Sequence, residues 1–283
     1  MKELKKQRKL YMTSSLENRW NNFSDNDIEL FELINKIARD NDSSYFLIGA
    51  KARDMLLDYF GKKAELRKTL DTDIALCCRN WQEFYKIKSA FVNGSDFTVD
   101  EKFEPRIIST KYGCLDIVPF GEINEYDSNL KWPPDYDINL SLIGFEDTFK
   151  HAIDITIRDI TIKVASPLGF ALLKLFAWVD RKAQKDASDF AYIIANYFDL
   201  GNENRLYEEN QDLLDENFDY TLSGCRLLGR DLNNLSRETC NHLKDFFDSD
   251  ELTDGLALSI SRDQYNYQEA SRMLQMIKQG FLD

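Results

Sequence analysis

Histidine is nearly missing from this sequence. His151 and His242 are the only two, and neither stands in a Cys/His cluster, so a zinc site is disfavoured and any metal should be held by oxygen. Long apolar runs are also lacking, and none approaches the roughly 18 residues needed to span a bilayer. Cysteine is sparse: five residues, an odd number with Cys77 and Cys78 adjacent, suit reduced thiols rather than a disulfide framework. The opening stretch MKELKKQRKLYMTSS is charged without a following apolar core, so it does not read as a secretory signal. A cytoplasmic location is expected. Internal repeats and low-complexity tracts are absent. So are G-x-x-x-x-G-K-[ST] and G-x-G-x-x-G, which disfavours P-loop and Rossmann readings. A ribonuclease reading finds no paired histidines.

What is present describes an ordered globular chain. Hydrophobic residues make up 43% and aromatics 13% of 283 residues, enough to bury a core and long enough for two domains. Net charge is −13 and uneven: residues 1–70 hold 14 Lys/Arg against 11 Asp/Glu, the remainder 22 against 38. An acidic body argues against a long nucleic-acid footprint, since phosphate neutralisation supplies most of such affinity. It leaves room for a small anion, such as a nucleotide, at a local basic spot. The basic N-terminal end reads as a solvated tail.

Periodicity divides the chain. Ser24–Asn41 reads as an amphipathic helix capped by Ser24 or Asp25, with Ile28, Leu30, Phe31, Ile34 and Ile37 on one face. SYFLIG is a short strand ending at Gly49, and AKARDMLLDYFG a helix closed by Gly61. DTDIALCC is the next strand, WQEFYKIKSAF is helical, and RIISTKYGCLDIVPF reads as a hairpin turning at Lys111-Tyr112-Gly113. From Ser166, a candidate N-cap before Pro167, the pattern turns helical. A long helix through about Tyr197 is expected, then helices at Leu206–Leu214, Tyr220–Leu235, Glu238–Phe247 and the C-terminal segment. The expected organisation is an α+β domain over residues 1–165 and a helical domain over 166–283.

Within this pattern the acidic residues are out of place. Strand alternation sets Asp71, Asp73 and Ala75 on one face, and GCLDIVPF sets Asp116 between Leu115 and Ile117. A carboxylate is costly to bury unpaired, so these acids are exposed, salt-bridged or metal-bound. Three aspartates on two neighbouring strands would supply the converging oxygens that two Mg2+ ions about 3.5–4 Å apart require. Upstream, the strand ending at Gly49-Ala50 passes into a helix, aiming backbone N–H groups at whatever lies beyond; the plainer use of Gly49 is to relieve crowding at a turn. In FALLKLFAW, Lys174 is the only charge, so it must snorkel or meet an anion. At about 100° per residue, Lys174, Trp178, Arg181, Lys185 and Asp189 share one stripe, opposite Leu172, Phe176, Val179, Ala183 and Phe190. Arg181 and Lys185 are expected to pair with Asp189.

Gly49-Ala50, then Asp71-Thr-Asp73, then a later strand aspartate resemble the hG[GS]…[DE]h[DE]…h[DE]h pattern of the DNA polymerase beta-type nucleotidyltransferase superfamily. FLIGAKARDMLL…TLDTDIAL…LDIVPFG and SPLGFALLKLFAWVDRKAQKDASDFAYII look like its AbiEii/AbiGii toxin branch, over about residues 44–200. The resemblance implies a nucleotidyltransferase-fold mixed sheet with flanking helices, followed by a helical domain. It further implies transfer of NMP from an NTP to an acceptor hydroxyl. Carried over, Gly49 and Ala50 would cradle the triphosphate. Asp71 and Asp73 would ligate two Mg2+ (or Mn2+) ions, and Asp116 would complete the catalytic one. Lys174 would contact the triphosphate, with Arg53 and Arg181 as further nucleotide contacts, although Arg53 beside Asp54 is more simply a salt bridge. Two departures stand out: Ala50 lacks the hydroxyl that a Ser there would offer, and Thr72 occupies a normally apolar position. The branch implies a toxin with a separate antitoxin protein and an RNA acceptor such as a tRNA 3′ end, served by basic spots at Lys62, Lys63, Arg67 and Lys68. A protein hydroxyl is the alternative acceptor, and a non-catalytic nucleotide-binding module the alternative of another class.

Overall fold

In the computed structural model, the described residues are 20, 22–62, 71–94, 96–124, 129–133, 139–214, 219–263 and 265–283. Lys63, Arg67 and Lys68, and the charged segment before residue 20, lie outside them. The chain divides into two compact units, each discontinuous in sequence. One comprises Met1–Leu76, Gln82–Val118 and Asp154–Val164; the other Cys77–Trp81, Pro119–Ile153 and Ala165–Asp283.

The first unit is built on a mixed sheet. Its strands are β1 (Tyr45–Ile48), β2 (Thr72–Cys77), β3 (Phe97–Val99), β4 (Arg106–Ser109), β5 (Gly113–Phe120), β8 (Ile153–Ile157) and β9 (Ile160–Val164), in the order β3-β4-β5-β2-β1-β9-β8. β1 runs antiparallel to β2 and parallel to β9; β3, β4 and β5 are successively antiparallel. β1 is buried along its whole length, which its unbroken apolar run requires of a strand near the sheet centre. On β5, Leu115 and Ile117 are fully buried while Cys114, Asp116 and Val118 are half-buried. The alternation of side chains therefore gives this strand a core face and a polar face. Helix α1 (Asp25–Asp40) begins at Ser24 with a capping box to Asp27, and Ile28, Leu30, Phe31, Ile34 and Ile37 are buried as their spacing predicts. Helix α2 (Gly49–Tyr59) follows β1 directly and α3 (Trp81–Gly94) follows β2. The Phe91 ring of α3 meets Phe97 of β3 edge-on at 6.2 Å.

The second unit is mainly helical and includes a small ribbon, β6 (Asn129–Lys131) with β7 (Asn139–Ser141). Its helices are α4 (Phe145–Lys150), α5 (Pro167–Arg181), α6 (Gln184–Ala195), α7 (Glu203–Glu208), α8 (Tyr220–Asn233), α9 (Arg237–Asp248), α10 (Asp250–Ile260) and α11 (Tyr267–Leu282). Ser166 caps α5 from its side chain and Pro167 takes the first helical position. The single long helix expected from Ser166 to Tyr197 is instead two. Lys182 turns left-handed at φ 51° and Ala183 is extended, ending α5 and resetting the helical phase before α6. The helix expected over Leu206–Leu214 is likewise α7 followed by a short 3-10 turn at Gln211–Leu213.

Candidate functional site

The Gly49 turn and Asp73 of β2 belong to one piece of structure. Ile48, the last residue of β1, pairs with Asp73 across the antiparallel register. Gly49 then takes φ +70°, and α2 starts there without a side-chain N-cap. A Cβ on Gly49 would stand 2.1 Å from Oδ2 of Asp73. The glycine is thus required twice, by its left-handed backbone and because the Asp73 carboxylate lies against it. Ala50 follows within the first turn and is half-buried. Arg53, one turn further, donates to the Asp54 carboxylate at 2.9 and 3.0 Å.

Asp71 precedes β2, with its side chain 47% exposed. Thr72, the polar residue between the aspartates, is completely buried, and its Oγ1 has no hydrogen-bond partner among the described residues. On β5, Asp116 faces Arg106 of β4 in register. Arg106 grips it in bidentate fashion, Nε to Oδ1 at 2.7 Å and Nη2 to Oδ2 at 2.8 Å, and the same Nη2 lies 3.8 Å from Asp71. One guanidinium therefore stands between the carboxylate of β5 and the one just before β2. The Asp116 hydrogen bonds raise the Arg106 pKa further above its already high value, so the group is permanently cationic. Burial, and then the neighbouring Asp71 carboxylate, push the Cys114 thiol up and keep it protonated.

Arg106 is the site residue that the sequence reading missed, although its signal was there. Counting back from the Lys111-Tyr112-Gly113 turn at equal steps puts Arg106 opposite Asp116. Among the described residues no three Asp, Glu, His or Cys side chains stand together as a ready metal cage. Asp71 and Asp116 both lie within ion-pair distance of Arg106, and the Asp73 carboxylate lies against the Gly49 turn; carboxylate oxygens are the donor type that a hard divalent cation takes. Asp71, Asp73 and Asp116 are the candidate residues for a divalent ion.

In the second unit, Lys174 meets anions of its own chain. Its Nζ lies 2.7 Å from Asp189 and 3.3 Å from Asp186, and 5.5 Å from the Phe170 ring centroid. Arg181 pairs with Asp186, at 2.6 and 2.8 Å. Asp186 is completely buried. Burial alone would raise its carboxyl, but Arg181 and Lys174 outweigh that and hold it below the usual range. Lys185 is exposed. Trp178, placed on the charged stripe by a continuous helix, is buried and donates from Nε1 to Ser259 at 3.3 Å. The break at Lys182 is the reason: it folds α6 back so that Asp186 and Asp189, not residues further along one helix, reach Lys174. Arg237 and His242 of α9 stand at an Arg-x-x-x-x-His spacing, the motif whose supposed absence counted against a ribonuclease; its presence corrects that premise. The His242 ring packs edge-on against Phe176 at 6.3 Å.

The family comparison puts this chain in the nucleotidyltransferase class of enzymes. Residues 59–266 match the family model described as nucleotidyl transferase AbiEii toxin, type IV toxin–antitoxin system. The chain belongs to that family, and the protein is a nucleotidyltransferase with an NTP substrate and an acceptor. No curated relative matches the sequence. Among solved structures, an antigenic nucleotidyltransferase-like protein from Paracoccidioides brasiliensis is similar at 13% identity and TM-score 0.39, covering 65% of this chain and 88% of that one. The lincomycin-bound lincosamide antibiotic adenylyltransferase LnuA is similar at 19% and 0.37, covering 59% and 95%. The antibiotic-resistance factor ANT(2'')-Ia is similar at 14% and 0.37, covering 66% and 96%. No helix among the described residues is long and apolar enough to cross a membrane.

Proposed function

We propose that the protein transfers NMP from an NTP to the terminal hydroxyl of an RNA acceptor, such as a tRNA 3′ end, in a Mg2+-dependent reaction, and that it is the toxin of a toxin–antitoxin pair. The observation that carries the proposal is the meeting of Asp71 and Asp116 on one cationic group, beside the turn where Asp73 lies against Gly49. The family match supports the reaction class. In this reading the backbone N–H groups of Gly49 and Ala50 hold the triphosphate at the start of α2. Asp71 and Asp73 would hold divalent ions beside it, and Asp116 would complete the catalytic one and favour deprotonation of the acceptor hydroxyl. When bound, two such ions would stabilise the attacking and leaving oxygens of an in-line displacement that releases pyrophosphate.

The test is incubation with each labelled NTP and Mg2+ in the presence of total RNA or of cell lysate. Label is expected in RNA and absent with Asp73→Ala. Label found in protein alone would transfer the proposal to nucleotidylation of a partner, and an Asp71→Ala/Asp73→Ala protein as toxic as the parent would end the catalytic reading.

A further inference from the structure

The cation between Asp71 and Asp116 is the chain's own. Both Oδ atoms of Asp116 are engaged by Arg106, one by Nε at 2.7 Å and one by Nη2 at 2.8 Å, and Nη2 also reaches Asp71 at 3.8 Å. A divalent ion on the same two carboxylates would stand within a few ångströms of the guanidinium, and two like charges at that distance repel strongly in a half-buried site. Arg106 has no way to give up its proton. It can yield only by moving, and the exposed Phe103 ring, 5.6 Å from its Cζ, offers a face over which a guanidinium can stack. Building on the metal reading of Asp71 and Asp116 above, we infer that Arg106 is a positioning residue that holds both carboxylates in place of metal until nucleotide binds. The nucleotide-free protein would then take up divalent ions poorly, and the metal would enter with the NTP, whose phosphates offset the positive charge that Arg106 keeps nearby.

Manganese titration of the nucleotide-free protein, followed by the electron paramagnetic resonance signal of free Mn2+, tests this without reference to turnover. Arg106→Gln is expected to bind Mn2+ at least about ten-fold more tightly than the parent, the size of effect that removing one opposing charge within about 4–6 Å produces. Arg106→Lys, which keeps the charge but loses the two-point grip, is expected to fall between them, about three-fold tighter than the parent. It carries the test if the Gln variant fails to fold. Either folded variant binding no more tightly than the parent overturns the inference. Adding Asp116→Asn to Arg106→Gln should abolish the gain; a double variant that still binds tightly places the ion elsewhere and also overturns it. The metal reading fails separately, if Asp71→Asn or Asp73→Asn leaves label transfer unchanged.

Discussion

At the scale of single residues, Gly49 and Thr72 carry opposite expectations. Gly49→Ala places a methyl group 2.1 Å from the Asp73 carboxylate on a backbone at φ +70°. Strain and clash together should cost about 1–3 kcal/mol, and label transfer should fall with it because Asp73 is pushed off the turn. A variant with parental unfolding temperature and parental activity would show that this packing has no consequence. Thr72→Val does the reverse. The hydroxyl is buried and unpartnered among the described residues, and replacing such a group by an apolar one of similar shape is neutral or stabilising by up to about 1 kcal/mol. Activity should survive, since Thr72 points away from the face that Asp73 uses. Loss of transfer with stability intact would assign the hydroxyl a partner that arrives only with substrate. Asp71, Asp73 and Asp116 were legible because carboxylates in apolar strands demand an explanation. Arg106 was not, because its meaning lies in a cross-strand register and not in its own sequence neighbourhood.

Among the elements, the departure from expectation lies between α5 and α6. The segment Arg181-Lys182-Ala183-Gln184 contains no proline or glycine, and every residue in it favours helix, so local propensity gives no reason to stop. The break is made by tertiary interactions: Asp186, fully buried, takes Arg181 and Lys174 of α5, and the Lys182 ammonium lies 4.0 Å from the Trp178 ring centroid. By contrast α1 was readable to its cap, since its signals are local. The pairing of α8 with α11 is a third case, in which glycine sets how closely two helices approach. A Cβ on Gly229 would sit 2.1 Å from the Ile277 carbonyl oxygen, and one on Gly280 would sit 1.9 Å from that of Arg226. Backbone cannot yield as a side-chain end can, so Gly229→Ala or Gly280→Ala should each cost about 1–3 kcal/mol or more. Urea unfolding would report this as a lower midpoint at unchanged slope. Unchanged midpoints in both variants would mean that the helices separate at no cost.

For the whole molecule the governing quantity is its acidity. With a net charge of −13, repulsion opposes the folded state at neutral pH and eases as pH falls towards the sequence pI of about 4.8. The ion pairs respond in the other direction. At Asp27 and Asp186 burial alone would raise the carboxyl, but Lys51 and Ser24 for the first, and Arg181 and Lys174 for the second, hold it below its ordinary value; at Asp212 the Arg230 hydrogen bond leads in doing the same. A carboxyl whose folded pKa is lowered binds its proton more readily unfolded, so its contribution is complete above the unfolded value, about 3.9. That contribution is lost as pH falls through the lowered folded value. The unfolding temperature should therefore hold or rise slightly from pH 7 to about 5 and fall steeply below about 4. Added salt should raise it at pH 7, where screening relieves repulsion. Asp186→Asn separates the two effects: it should lower stability at pH 7, where Lys174 and Arg181 lose their shared buried carboxylate, and flatten the acid limb, because one proton-linked group is gone. An unfolding temperature that keeps rising below pH 4 would mean that repulsion among the acidic groups, and not their pairing with Lys51, Lys174, Arg181 and Arg230, sets the stability of the fold.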